Sequence, residues 1–158
     1  MLYDVTIKIN RPYGQEVKKA WLKHVIVESL GMEKVAYAEV SLVITSDERI
    51  HEINRKYRQV DAPTDVIAFA LTEESRGEFV SPPDGILHLG EVVISYPTAV
   101  RQASEHYHSV QQELAILIVH GTLHLLGYDH VLPGQARKMR NKERDILEFL
   151  KELRQRMR

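Results

Sequence analysis

Cysteine is absent from these 158 residues. That removes disulfide frameworks and thiolate metal sites together, and it fits a reducing cytosol. Long apolar runs are missing too. The longest, LAILIV at 114–119, falls far short of the ~20 residues a membrane span needs. The opening MLYDVTIKIN carries Asp4 and Lys8 and lacks the apolar core of a secretory leader. Net charge is only −1, so the overall balance does not announce a nucleic-acid binder. No internal repeat or low-complexity segment interrupts the chain. What remains is the composition of a soluble globular protein, 44% hydrophobic and 27% charged. The expectation is one domain over 1–158, large enough to build its own core, working in the cytoplasm without membrane contact.

The charge that is present is unevenly spread. Residues 131–158 hold nine Lys/Arg against four Asp/Glu, a surplus of five. The first 130 residues hold twelve against eighteen, a deficit of six. A basic tail on an acidic body suits contact with a polyanion, and it equally describes a solvated helix face.

Hydrophobic periodicity predicts the order β-α-β-α-β-β-α-α. YDVTIKI at 3–9, AYAEVSLVI at 36–44, VIAFAL at 66–71 and ILHLGEVVISY at 86–96 read as strands, the third of them buried. Residues 15–30 space Val17, Trp21, Val25 and Leu30 as a helix, with Gly31 as its stop. Thr45 and Glu48 have the spacing of a capping box for a helix running to about Tyr57. The polar 73–85 reads as a loop. A helical region is expected from Pro97 through the histidine-rich 105–108 into 113–126, and a last helix over about 135–155. The fold class is therefore α+β: a single domain with a small mixed four-stranded sheet packed against several helices.

The most unusual stretch is HGTLHLLGYDH, residues 120–130. His120 and His124 are four apart, so a helix places them one turn apart on one face. Gly127 allows the backbone to leave that helix through a left-handed turn. His130 can then return over the helix end as a third ligand. The spacing H-x₃-H-x₂-G-x₂-H is that of the long zinc-protease signature, so the helix is metzincin-like. Three neutral imidazoles favour zinc or a similar borderline divalent ion, and three protein ligands leave a position open for chemistry. The protease places its general base, a glutamate, directly after the first histidine. Here that residue is Gly121, so acid/base groups must come from elsewhere or from the substrate. RNA brings such a group in its 2′-hydroxyl. Gly121 either permits close packing or leaves room beside the metal for a bulky substrate.

HGTLHLLGYDH resembles the H-G-x-L-H-L-x-G-Y-D-H signature of the YbeY family, metal-dependent bacterial endoribonucleases of ribosomal RNA maturation. NRKYRQVDAPTDVIAF at 54–69 is similar to that family's N-x-x-Y-R-x-x-D-x-P-T-D-V-L-S-F segment. LGEVVIS at 89–95 resembles its L-G-D-I-x-I-S segment. Two departures stand out: Glu91 where the family usually has Asp, and Ile67-Ala68 in place of Leu-Ser. The resemblance implies one zinc ion per chain on His120, His124 and His130. It implies Arg58 and the metal-bearing His120 as catalytic residues, with Arg58 engaging RNA. It implies cleavage of single-stranded ribosomal RNA precursors, including 16S 3′-end processing, on ribosomal particles and without a small-molecule cofactor. Two other readings stay open: a zinc peptidase-like hydrolase, which Gly121 disfavours, and a non-catalytic ribosome-assembly factor braced by a structural zinc.

Other polar residues are weighed on their own. Asp65 either orients Arg58 or caps a turn, with Asp61 and Thr64 in the same loop. Asp129 is a metal-site partner, a proton source or a turn aspartate. His106 and His108, two apart, fall on different sides of a helix and give no metal geometry. His24, His51 and His88 read as ordinary polar positions. The aromatic residues form no basic-aromatic pattern of the kind that stacks single-stranded bases.

Overall fold

A computed structural model describes residues 2–71 and 85–156. Four strands form one sheet: β1 (Leu2–Ile9), β2 (Tyr37–Thr45), β3 (Val66–Ala70) and β4 (Leu87–Ser95). Their order is β1-β2-β4-β3. β1 with β2 and β2 with β4 run parallel, and β3 closes the sheet antiparallel to β4. Among the described residues five α-helices complete the α+β fold: α1 (Lys19–Met32), α2 (Asp47–Arg58), α3 (Tyr96–Glu105), α4 (Val110–Leu125) and α5 (Pro133–Arg156). The predicted loop at 73–85 falls almost wholly outside the described residues.

Alternation of side chains divides the core. Val40, Leu42 and Ile44 of β2, with Val92 and Ile94 of β4, belong to the main core together with Leu22, Ile26 and Leu30 of α1 and the apolar residues of α4. On the opposite face Val93 and Ile67 pack with Ile50 of α2 in a smaller cluster. α4 is the central element: ten of its sixteen residues are buried, against three of twenty-four in α5. That burial explains why residues 113–126 look apolar all round rather than amphipathic.

Two glycines fix how closely elements approach. Gly90 sits at φ +129°, where the β2–β4 register slips, and a Cβ there would lie 1.9 Å from the carbonyl oxygen of Phe69. Gly121 brings α4 against β4, since a Cβ would meet Val92 Cγ1 at 2.7 Å. Of the two readings of Gly121, this contact supports close packing.

Several local expectations are corrected. Gly31 does not stop α1, which runs on to Met32; Lys34 makes the left-handed exit at φ 59°. The cap of α2 is Ser46, whose hydroxyl accepts from the Arg49 N–H, while Thr45 still belongs to β2. β3 is an edge strand with only Ile67 buried. The single helical region through 105–108 is two helices. α3 ends at Glu105, Tyr107 takes φ 57°, and Ser109 starts α4 with a capping box to Gln112. A tyrosine gives no sequence signal for that left-handed turn, which glycine usually marks.

Candidate metal centre

His120 and His124 lie in the last turns of α4, as the i,i+4 spacing predicts. Gly127 then turns the chain at φ +99°. The Gly127 N–H donates to the His124 carbonyl and the Tyr128 N–H to that of Leu123, so the helix ends in a Schellman motif. The Asp129 carboxylate accepts from the backbone N–H groups of His130 (2.6 Å) and Val131 (3.2 Å), which fixes the turn that carries His130. Among the roles weighed for Asp129, the geometry is that of a turn aspartate.

The three rings converge. Their centroids stand 4.6 Å (His120–His124), 5.1 Å (His124–His130) and 5.9 Å (His120–His130) apart. One ring nitrogen from each lies within 4.8 Å of the other two. Burial, with the adjacent His120 and His130, pulls the His124 pKa below its ordinary value. His124 is therefore neutral at physiological pH, the state a metal requires of imidazole. His120 Nδ1 faces Glu143 Oε1 of α5 at 2.7 Å. An Nδ1–H donated to that carboxylate leaves Nε2 as the nitrogen free for an ion. This carboxylate–imidazole arrangement fixes ring orientation and tautomer at metal sites. The donor set thus fits a borderline divalent ion on chemistry and on geometry. The helix adds to the fit, because a cation at a helix C-terminus meets the negative end of the macrodipole.

Arg58 is the last residue of α2, where Gln59 at φ 55° ends the helix. Its Nη2 donates to the Ala68 carbonyl at 2.5 Å, and its guanidinium lies 5.4 Å from the centre of the Phe69 ring. These two contacts hold an exposed arginine in one place and leave its other N–H donors available. Arg58 and all three histidines line one cleft of about 230 Å³, together with Asn54, Thr64 and Gly121. Asn54 is nearly buried and donates to the Ala62 carbonyl at 2.9 Å, so it shapes the loop that follows Arg58.

Other candidates fall away from this cleft's chemistry. Asp65 accepts from its neighbour Val66 N–H at 2.8 Å and makes no bond to Arg58, so it caps a turn. Asp61 pairs with His51 at 2.8 Å, His24 with Glu28 at 3.9 Å and His88 with Glu39 at 3.4 Å. Glu91 lines a separate groove with Glu39, Arg49 and Gly90. Glu143, the carboxylate partner of His120, is the residue of this site that the sequence did not disclose. A histidine ligand calls for a carboxylate partner, but nothing in the spacing says which of the four acidic residues after 130 supplies it.

Comparison with known proteins agrees with the motifs. The family model described as Endoribonuclease YbeY matches residues 5–151. An Endoribonuclease YbeY of Roseiflexus sp. is 44% identical over 148 residues, covering 92% of each chain. One from Moorella thermoacetica is 49% identical over 138 residues, covering 86% of this chain and 88% of its own. One from Pelotomaculum thermopropionicum is 50% identical over 134 residues, covering 85% and 79%. A solution structure from Thermotoga maritima superposes with a TM-score of 0.61 at 25% identity, over 91% of this chain and 87% of that one. With the family model matched along nearly the whole fold and such relatives across most of their length, this chain belongs to the YbeY endoribonuclease family.

Proposed function

We propose that the protein is a metal-dependent endoribonuclease that cuts single-stranded segments of ribosomal RNA precursors, including the 3′ end of 16S RNA, in the cytoplasm. One observation carries the reading: a three-imidazole donor set and a fixed, exposed arginine share one open cleft. The names of the relatives, each an endoribonuclease, support RNA as the substrate class. Residues 1–158 act as one domain. Among the described residues no helix is long and apolar enough to cross a membrane.

In this reading His120, His124 and His130 hold one zinc ion. A divalent ion there supplies Lewis acidity, acidifying a nearby water or hydroxyl and offsetting charge on a phosphoryl oxygen. The protein does the rest. Glu143 keeps the His120 ring oriented for ligation. The remaining N–H donors of Arg58 grip a phosphate of the scissile region and offset charge that develops on it. Gly127 and Asp129 hold the turn that presents His130. Exposed Arg137, Lys138, Arg140 and Arg144 on α5, the helix that also carries Glu143, add sequence-independent phosphate contacts, which makes binding salt-sensitive.

The peptidase reading loses ground at Gly121. Val92 occupies the space where a side chain at that position would begin, so no glutamate base fits there without repacking the sheet. Cleavage of a single-stranded ribosomal RNA fragment, with and without chelator, tests the proposal. Metal-dependent RNA cleavage with no turnover of unstructured peptides is expected. Peptide turnover without RNA cleavage would overturn it.

A further inference from the structure

The opposite end of α4 carries a second cluster. His106 and His108 flank Tyr107, whose left-handed conformation folds both imidazoles to the same side of the turn. Their ring centroids are 5.6 Å apart. Both face Glu113, in the first turn of α4. Its Oε2 lies 2.5 Å from His108 Nε2 and 3.5 Å from His106 Nδ1. Ligand atoms from all three residues fall within 4.8 Å of one another, as they do in the first cluster.

Burial grades across this cluster. The Glu113 side chain is 3% exposed, that of His108 21% and that of His106 57%. A buried carboxylate needs firm partners. The Gln102 amide, turned with its nitrogen inward, donates to Glu113 Oε1 at 2.8 Å and to Asp65 Oδ2 at 3.3 Å. Gln102 thereby fixes one oxygen and leaves Oε2 to the two rings. His106 is the informative member. Although more than half exposed, it turns its Nδ1 to the same carboxylate oxygen that His108 contacts, so two imidazoles converge on Oε2. A divalent ion is one partner that two imidazoles and one carboxylate oxygen can share.

We propose that His106, His108 and Glu113 form a second divalent-metal site, for zinc or another borderline ion such as cobalt, which pins the end of α3 to the start of α4. Its two nitrogens and one oxygen are a donor set zinc accepts. Loading requires the His108 Nε2–Glu113 Oε2 pair to spread, because two ligands of one tetrahedral zinc stand roughly 3.3 Å apart given Zn–N and Zn–O lengths of about 2.0–2.1 Å. Exposed His106 can swing to follow. The site also lies at the positive end of the α4 dipole, which opposes a cation, and the Glu113 charge offsets that. It therefore binds more weakly than the first cluster. Trp21, the sole tryptophan, lines the same 210 Å³ cavity as His108 and offers a local optical report.

The test titrates purified protein, already carrying its resident metal, with Co²⁺ while following Trp21 fluorescence and bound cobalt. Wild type should take up one further equivalent and quench Trp21 as it does so. His106→Ala, a surface change, should lose that equivalent and the quenching yet cleave RNA at the wild-type rate. At a hundredfold excess of Zn²⁺ over its Kd, the second site should raise the Tm by about 5 °C or more in wild type and not in His106→Ala. No further equivalent in wild type, or an unchanged one in His106→Ala, would overturn the proposal.

Discussion

The two ends of α4 are built alike and read differently. At each end a left-handed residue turns the chain and gathers imidazoles: Gly127 before His130, and Tyr107 between His106 and His108. At the C-terminal end the donors are three imidazoles at the negative pole of the helix, beside an exposed arginine. At the N-terminal end a carboxylate replaces one imidazole at the positive pole, and His108 lines a cavity with Trp21 and Leu150 instead. Similar parts thus give one end a cleft suited to phosphodiester chemistry and the other end a corner suited to bracing.

The largest effect that separates the ends is expected from His124→Ala. Loss of the resident ion should lower RNA cleavage by on the order of 10³-fold or more, since metal assistance contributes several kcal/mol. Metal analysis and cleavage rates check this together, and His106→Ala should do neither. Arg58→Ala comes next. It should keep the metal and lose about 10²- to 10³-fold in cleavage, as removal of a charge-stabilising donor does. A variant that cleaves normally would leave the cleft without its phosphate grip.

Glu143→Gln sharpens the account of the C-terminal end. Metal affinity should fall about 10- to 100-fold, read by competition with a chelator, while the melting curve of the metal-free protein hardly moves. The smallest effects compare the two turns themselves. Gly127→Ala should cost roughly 1 kcal/mol of stability by denaturant unfolding, because residues with a Cβ rarely adopt φ +99°, and should loosen metal binding through His130. Tyr107→Gly should do the reverse, adding about 0.5 kcal/mol as strain at φ 57° is relieved and only partly offset by glycine's greater chain entropy. If both substitutions shift stability the same way, the two turns are not equivalent devices.

The same contrast explains what the sequence disclosed. His120, His124, Gly127 and His130 were legible because helix spacing and a glycine exit are both written in residue type. His106 and His108 were misread as opposite sides of one helix, because the left-handed residue between them is a tyrosine. Strand positions followed from β-branched alternation to within about a residue or two, and the parallel crossovers agree with helices lying between strands. The break at 106–109, the exit at Lys34 and the cap at Ser46 were missed for one reason: each depends on a backbone angle or a neighbouring hydroxyl that a residue list does not fix. Glu143 is a tertiary fact, since α5 brings it to His120 across 23 positions of sequence.

The most direct test of the central claim is a side-by-side measurement of bound metal and of single-stranded ribosomal RNA cleavage for wild type, His124→Ala and Arg58→Ala. The account predicts that wild type holds its ion and cuts, that His124→Ala loses both, and that Arg58→Ala keeps the ion and cuts about 10²- to 10³-fold more slowly. Cleavage that persists in His124→Ala, or metal bound by all three with RNA turnover at background throughout, would contradict it.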